Sequence, residues 1–164
     1  THIAELAAVE LTALDADPVR CERIGANLAR LGLRAAVRAA DCTRLDTWWD
    51  GAPFDRVLAD VPCTASGVVR RHPDLKWLRR PADRAAFAAR QGEIVRALWQ
   101  VLAPGGKLLY VTCSVFPEEN EAVVTSVAAR TGARRLPLPD GGPAQGLPAP
   151  EHDGFFYALI QKPA

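Results

Sequence analysis

Two thiols and three carboxylates carry the chemistry that this sequence can do. Cys63 closes the run Asp60-Val-Pro-Cys63, and Cys113 sits in Thr112-Cys113-Ser114. Each follows an apolar, strand-like stretch, residues 54–59 and 107–111, with a long helical pattern between them. Strand, helix, strand reads as a right-handed βαβ crossover with parallel strands. Neighbouring strands run roughly 5 Å apart, and open α/β sheets take ligands at their carboxyl ends. Both thiols and the Asp60 carboxylate would then leave the sheet at one edge and face one substrate atom. A thiol placed there can act as a nucleophile and split one difficult substitution into two easier steps. Arg70 and Arg71 would lower a thiol pKa if they fold back on it. The opposing reading is packing, because a buried cysteine is commonly a small inert hydrophobe. Cys21, on a helical pattern, and Cys42, beside Asp41, receive only that reading. For Cys63 and Cys113 the residues alone leave both readings open.

The carboxylates repeat a position. Strand patterns over 9–14, 35–40 and 54–59 run into Asp15, Asp41 and Asp60. A carboxylate at a strand's carboxyl end can accept ribose hydroxyls, and a second one nearby can accept an adenine amino group. Asp15, Asp41 and Asp60 are therefore candidates for holding a nucleotide cofactor. For any single Asp the ordinary alternative is a turn or cap residue.

These groups need a sheet with helices to hold them. Residues 1–8 look like the end of a helix, with Ile3, Leu6 and Ala7 on one face. Asp17-Pro18 opens the next helix, with Asp as cap and Pro at the first helical position. Ile24, Leu28 and Leu31 mark its apolar face, and Gly32 stops it. Pro81 starts a helix reaching Leu102, and Pro104-Gly105-Gly106 turns the chain into the strand 107–112. Pro117-Glu-Glu-Asn-Glu121 starts another helix with its acids near the positive end of the dipole, and Gly132 ends it. Residues 134–138 read as a strand and 139–150 as a loop. The last strand, 154–162, has two apolar faces and is expected to be covered on both. Alternating strands and helices imply an α/β three-layer sandwich.

Composition sets the outer bounds. The 164 residues, 49% of them hydrophobic, suit a single domain with a real core. The net charge of +1 singles out no partner. No apolar run is long enough to span a bilayer and no secretory signal precedes the fold, so a soluble, cytoplasmic protein with no membrane partner is expected. The four cysteines show no zinc-like spacing with His2, His72 or His152, so no metal is expected.

Asp60-Val-Pro-Cys-Thr-Ala-Ser-Gly-Val-Val-Arg-Arg-His-Pro-Asp-Leu-Lys-Trp-Leu-Arg-Arg80 resembles the fourth motif of RNA cytosine-5 methyltransferases. The resemblance is strongest to the Sun/Fmu type that acts on small-subunit ribosomal RNA. Tyr110-Val-Thr-Cys-Ser-Val-Phe-Pro-Glu-Glu-Asn120 resembles the sixth motif of that family. Leu14-Asp-Ala-Asp-Pro18 and Ala40-Asp41 fall where the family keeps its cofactor carboxylates, and Gly154-Phe-Phe-Tyr157 resembles its closing strand. The resemblance spans nearly the whole chain and implies a Rossmann-like methyltransferase fold using S-adenosylmethionine on RNA. It implies that Cys113 is the nucleophile on cytosine carbon 6 and that Cys63 assists release of the product, 5-methylcytosine. Asp60 would hold the target base at its ring-nitrogen and amino edge, Asp15 the cofactor ribose, and Asp41 its adenine. Arg70, Arg71, His72, Lys76 and Arg79 would contact RNA phosphates, and Trp77 would either stack on a base or anchor the core.

The same resemblance places a glycine-rich cofactor loop, and a central strand between those ending in Asp15 and Asp60, ahead of Thr1. The sheet of residues 1–164, read as a truncated catalytic domain, is therefore expected to be interrupted. On its own the stretch is expected to bind cofactor poorly. A catalytically silent RNA-binding module is the alternative for such a fragment.

Overall fold

The computed structural model describes residues 1–164, which divide into two units, Thr1–Asp50 and Gly51–Ala164. The first unit opens with the short helix α1, His2–Leu6, none of whose residues is buried. Strand β1 spans Thr12–Asp15, ending on the expected carboxylate. Asp17 then caps helix α2, Pro18–Leu31, by accepting the Val19 amide at 2.9 Å. Gly32 ends α2 in the left-handed region at φ +66°, which a residue with a Cβ adopts only at a cost. Strand β2, Ala36–Ala39, lies parallel to β1 and pairs Asp15 with Ala39. Cys21 is buried on α2, with its thiol 3.4 Å from the Arg38 carbonyl, in keeping with a packing role.

The second unit holds the larger sheet. Strand β3 spans Phe54–Asp60; a 3-10 turn follows at Ser66–Val68, then a short helix α3, Leu75–Leu78. Helix α4, Pro81–Val101, buries Gln91, Ile94, Val95, Leu98 and Val101, a helical spacing that lays one stripe against β3 and β4. Strand β4, Leu102–Thr112, runs parallel to β3, with Asp60 opposite Val111. Helix α5, Glu121–Thr131, leads to β5, Arg134–Leu136. The two-residue β6, Gln145–Gly146, and β7, Phe155–Gln161, complete the unit. The sheet order is β3-β4-β7-β5, with β6 also on β7, and β7 is antiparallel to its neighbours. The expected interruption is visible in the pairing, since β1 and β2 form a sheet of their own.

Three local expectations change. The strand after α4 starts at Leu102, and Ala103–Gly106 is a bulge within it: Phe54 pairs with Leu102 but Arg56 with Lys107. Helix α5 begins at Glu121, not Pro117, because Glu119 and Asn120 turn inward and bond buried groups. The last strand is covered unequally on its two faces, with Phe155 and Leu159 only half-buried. Phe156, Ala158 and Ile160 are buried together with Leu108 and Tyr110, whereas Tyr157 and, on β3 beyond β4, Leu58 stay exposed. No helix is long and apolar enough to cross a membrane.

Candidate active site

Parallel pairing of β3 with β4 carries both cysteines off the sheet at one edge. Past the Asp60–Val111 pair, the Val61 amide still donates to the Val111 carbonyl at 3.2 Å, so the two chains leave together. The Cys63 and Cys113 Sγ atoms then lie 3.4 Å apart, at hydrogen-bond distance for sulfur. Both thiols are free. Cys63 is buried and Cys113 only half-buried, so Cys113 is the more accessible of the two.

The pairing makes the two sulfurs chemically unequal. The hydrogen bond from Cys63 lowers the Cys113 pKa to about 7, against burial and the nearby Asp60 carboxylate, which both oppose its ionisation. Cys63 is pushed well above the ordinary thiol range by that same bond and by burial. With Cys63 donating, Cys113 is the thiol of the pair that ionises more readily, and the thiolate is the form of cysteine that attacks. Asp60, at the end of β3, has its pKa raised by desolvation, so its carboxyl holds a proton more readily than a solvated one.

A buried polar network fixes the two loops. Glu119, fully buried, accepts from the Thr64 amide (2.8 Å), Thr64 Oγ1 (2.5 Å), Ser114 Oγ (2.8 Å) and Gln91 Nε2 (3.1 Å). Asn120 brackets Cys113: it accepts from Thr112 Oγ1 at 2.6 Å and donates to the Ser114 carbonyl at 2.8 Å. The Gly67 amide donates to the Cys113 carbonyl at 2.8 Å, and the Gly154 amide to the Gly67 carbonyl at 2.9 Å. A Cβ on Gly67 would collide with the Gly154 carbonyl and lie 2.9 Å from that of Cys113. The sequence reading missed this network. Its signal was the set of small hydroxyls, Thr64, Ser66 and Ser114, just beyond both cysteines, which needs a buried acceptor.

The basic stretch divides in two. Arg71 Nε lies 2.7 Å from the buried Asp153 carboxylate, and Arg70 donates to the Ala149 and Pro150 carbonyls. Arg79 donates to the Thr64 carbonyl at 2.9 Å and stacks over Phe87. None of the three is bonded to a cysteine sulfur, and the lowered Cys113 pKa comes from Cys63, not from Arg70 or Arg71. His72 and Lys76 are exposed. Trp77 is 87% exposed, which removes the core-anchor reading.

In the first unit, Asp15 and Asp41 stand at the carboxyl edge of adjacent parallel strands: Asp15 pairs with Ala39, and the Ala40 amide donates to the Asp15 carbonyl at 3.0 Å. Asp15 Oδ1 accepts the Asp17 amide at 2.9 Å, and its side chain is 28% exposed. Asp41 Oδ1 accepts both the amide and the hydroxyl of Thr43. Cys42, next to it, is partly exposed.

Parallel strands joined by crossover helices, with carboxylates at their carboxyl ends, define a Rossmann-like α/β fold of the S-adenosylmethionine-dependent methyltransferase kind. The family described as 16S rRNA methyltransferase RsmB/F matches residues 1–161, and the chain belongs to that family. Ribosomal RNA small subunit methyltransferase B of Vibrio vulnificus is 47% identical over 167 residues, covering 99% of this chain and 39% of the relative. Its namesake from Klebsiella pneumoniae is 46% identical with the same coverage, so the chain spans 39% of the length of these curated relatives. The crystal structure of NSun6 from Pyrococcus horikoshii with SFG superposes with a TM-score of 0.85 at 30% identity, covering 98% of this chain and 44% of that one.

Proposed function

We propose that this chain is part of the catalytic domain of an RNA methyltransferase that modifies carbon 5 of a cytosine in small-subunit ribosomal RNA through a covalent cysteine adduct. The observation that carries the reading is the 3.4 Å contact between Cys63 and Cys113, with Cys113 the more acidic thiol. A thiolate near neutral pH can add to cytosine carbon 6, which makes carbon 5 electron-rich. Asp60, with its raised pKa, holds the ring-nitrogen and amino edge and can share a proton with the ring as Cys113 adds. Cys63 stays protonated while Cys113 attacks. It lies beside the new carbon–sulfur bond and donates a hydrogen bond to the Cys113 sulfur as that sulfur departs with the bonding pair, while solvent water takes the carbon-5 proton. The target base must leave its stack for a thiol to reach it.

S-adenosylmethionine is the methyl donor of this reading, and when bound it supplies an electrophilic methyl group. Asp15 and Asp41 fit it. They are two acceptor side chains at the carboxyl ends of paired parallel strands, where ribose hydroxyls and an adenine amino group are held in such folds. The NSun6 structure was solved with SFG, which supports a bound small molecule as part of this fold's chemistry. Arg70, Arg71, His72, Lys76 and Arg79 form the RNA-facing stretch, with Trp77 available to stack on an unpaired base. A cytoplasmic site of action follows from such a substrate. The reading is tested by trapping the Cys113–RNA adduct in a full-length protein carrying this domain. Loss of the adduct on Cys113→Ala supports it; an adduct that persists there overturns it.

A further inference from the structure

Glu119 ties down the residue after each cysteine. Thr64 follows Cys63 and Ser114 follows Cys113, and both donate hydroxyls to the same carboxylate oxygen, at 2.5 and 2.8 Å. The other oxygen takes the Thr64 amide and the Gln91 amide group, and Gln91 also holds the Pro62 carbonyl at 2.9 Å. A fully buried carboxylate is costly unless it is well bonded, and four donors meet that need. An apolar side chain would fill the same space without linking the two loops. We propose that Glu119 is a positioning residue, which holds the Cys63 and Cys113 sulfurs within hydrogen-bond reach of each other.

Its effect can be told from that of a bare charge by sign. The ionisable groups acting on Cys113 are Cys63, Asp60 and Glu119. The Cys63 bond eases ionisation of Cys113, while the charges of Asp60 and Glu119 oppose it. Replacing Glu119 by Gln removes a negative charge, which by itself would ease ionisation. Loosening the sulfur pair does the reverse. The inference rests on Cys113 being the reacting thiol of the proposed reaction. Alkylation needs neither RNA nor methyl donor, however, so failure here and failure of that reading are separate results.

The experiment is the pH dependence of Cys113 alkylation by iodoacetamide, read by peptide mass spectrometry, with circular dichroism to confirm folding. The unsubstituted protein should show a midpoint near 7. Glu119→Gln should raise it by about one pH unit, toward the ordinary thiol value. In a Cys63→Ala background, Glu119→Gln should give no rise, since the pair it positions is gone. If Glu119→Gln does not fold, Thr64→Val removes one of the four bonds at nearly constant shape and should give a smaller rise. An unchanged or lowered midpoint in the folded variant tested overturns the proposal. An equal rise in the Cys63→Ala background overturns it too.

Discussion

Cys63 and Cys113 are the same residue type at the same sheet edge, yet the 3.4 Å contact between their sulfurs gives them opposite chemical characters. Cys63 keeps its proton and Cys113 gives its proton up near neutral pH. Paired groups pushed apart in this way mark an assignment of roles. Here the sulfur of the less buried residue is the one made nucleophilic.

That asymmetry depends on the Cys63 thiol. Cys63→Ala should therefore move the midpoint of Cys113 alkylation up from near 7 toward about 8.5. Cys113 is an acid with a lowered pKa, so its reactivity should rise as pH climbs through 7 and level off above it. A midpoint unmoved by Cys63→Ala would mean that the contact does not polarise Cys113.

Gly67 is held between two carbonyls, those of Cys113 and Gly154, which are backbone and cannot swing aside. Gly67→Ala should cost about 1–3 kcal/mol by overpacking. It should also raise the reactivity midpoint of Cys113 by displacing its loop. Urea denaturation checks the first effect and alkylation the second; unchanged stability would mean that the 66–68 turn moves freely away.

The basic stretch should respond unevenly. Arg79→Ala loses a bond to the Thr64 carbonyl and the stack on Phe87, and should lower stability by about 1 kcal/mol. Lys76→Ala should leave stability within about 0.5 kcal/mol. In a full-length protein it should reduce the salt dependence of RNA binding by about one contact. Equal effects of the two substitutions on melting would contradict this division.

Much of this arrangement is legible in the chain itself. Asp17, Pro18, Gly32 and Gly132 act locally, and each does in the structure what its type dictates. The βαβ pattern likewise suffices to bring Cys63 and Cys113 to one edge. Glu119 was misread because three acids after a proline resemble a first helical turn. Only the fold reveals that four donors, from three other segments, converge on it. The ion pair of Arg71 was hidden for a similar reason: its partner Asp153 is far away in sequence and is paired only once the 149–153 loop folds back. The less covered face of β7 lies outside what alternation can show, since its residues are apolar on both sides whether or not both are covered equally.

Asp15 bears on the cofactor. In a full-length protein, Asp15→Ala should weaken S-adenosylmethionine binding by about 1.5–3 kcal/mol, the worth of charge-assisted hydrogen bonds to the ribose. Calorimetry showing unchanged affinity would remove Asp15 from the site.

The central claim, that Cys113 attacks and Cys63 releases, is tested most directly by denaturing electrophoresis of a full-length protein incubated with cytosine-containing RNA and methyl donor. Cys63→Ala should accumulate a slow-migrating protein–RNA band, because attack proceeds and release stalls. Cys113→Ala and the double variant should show none. A band in Cys113→Ala alone would exchange the two roles, and methylation that continues without either thiol would contradict the covalent mechanism altogether.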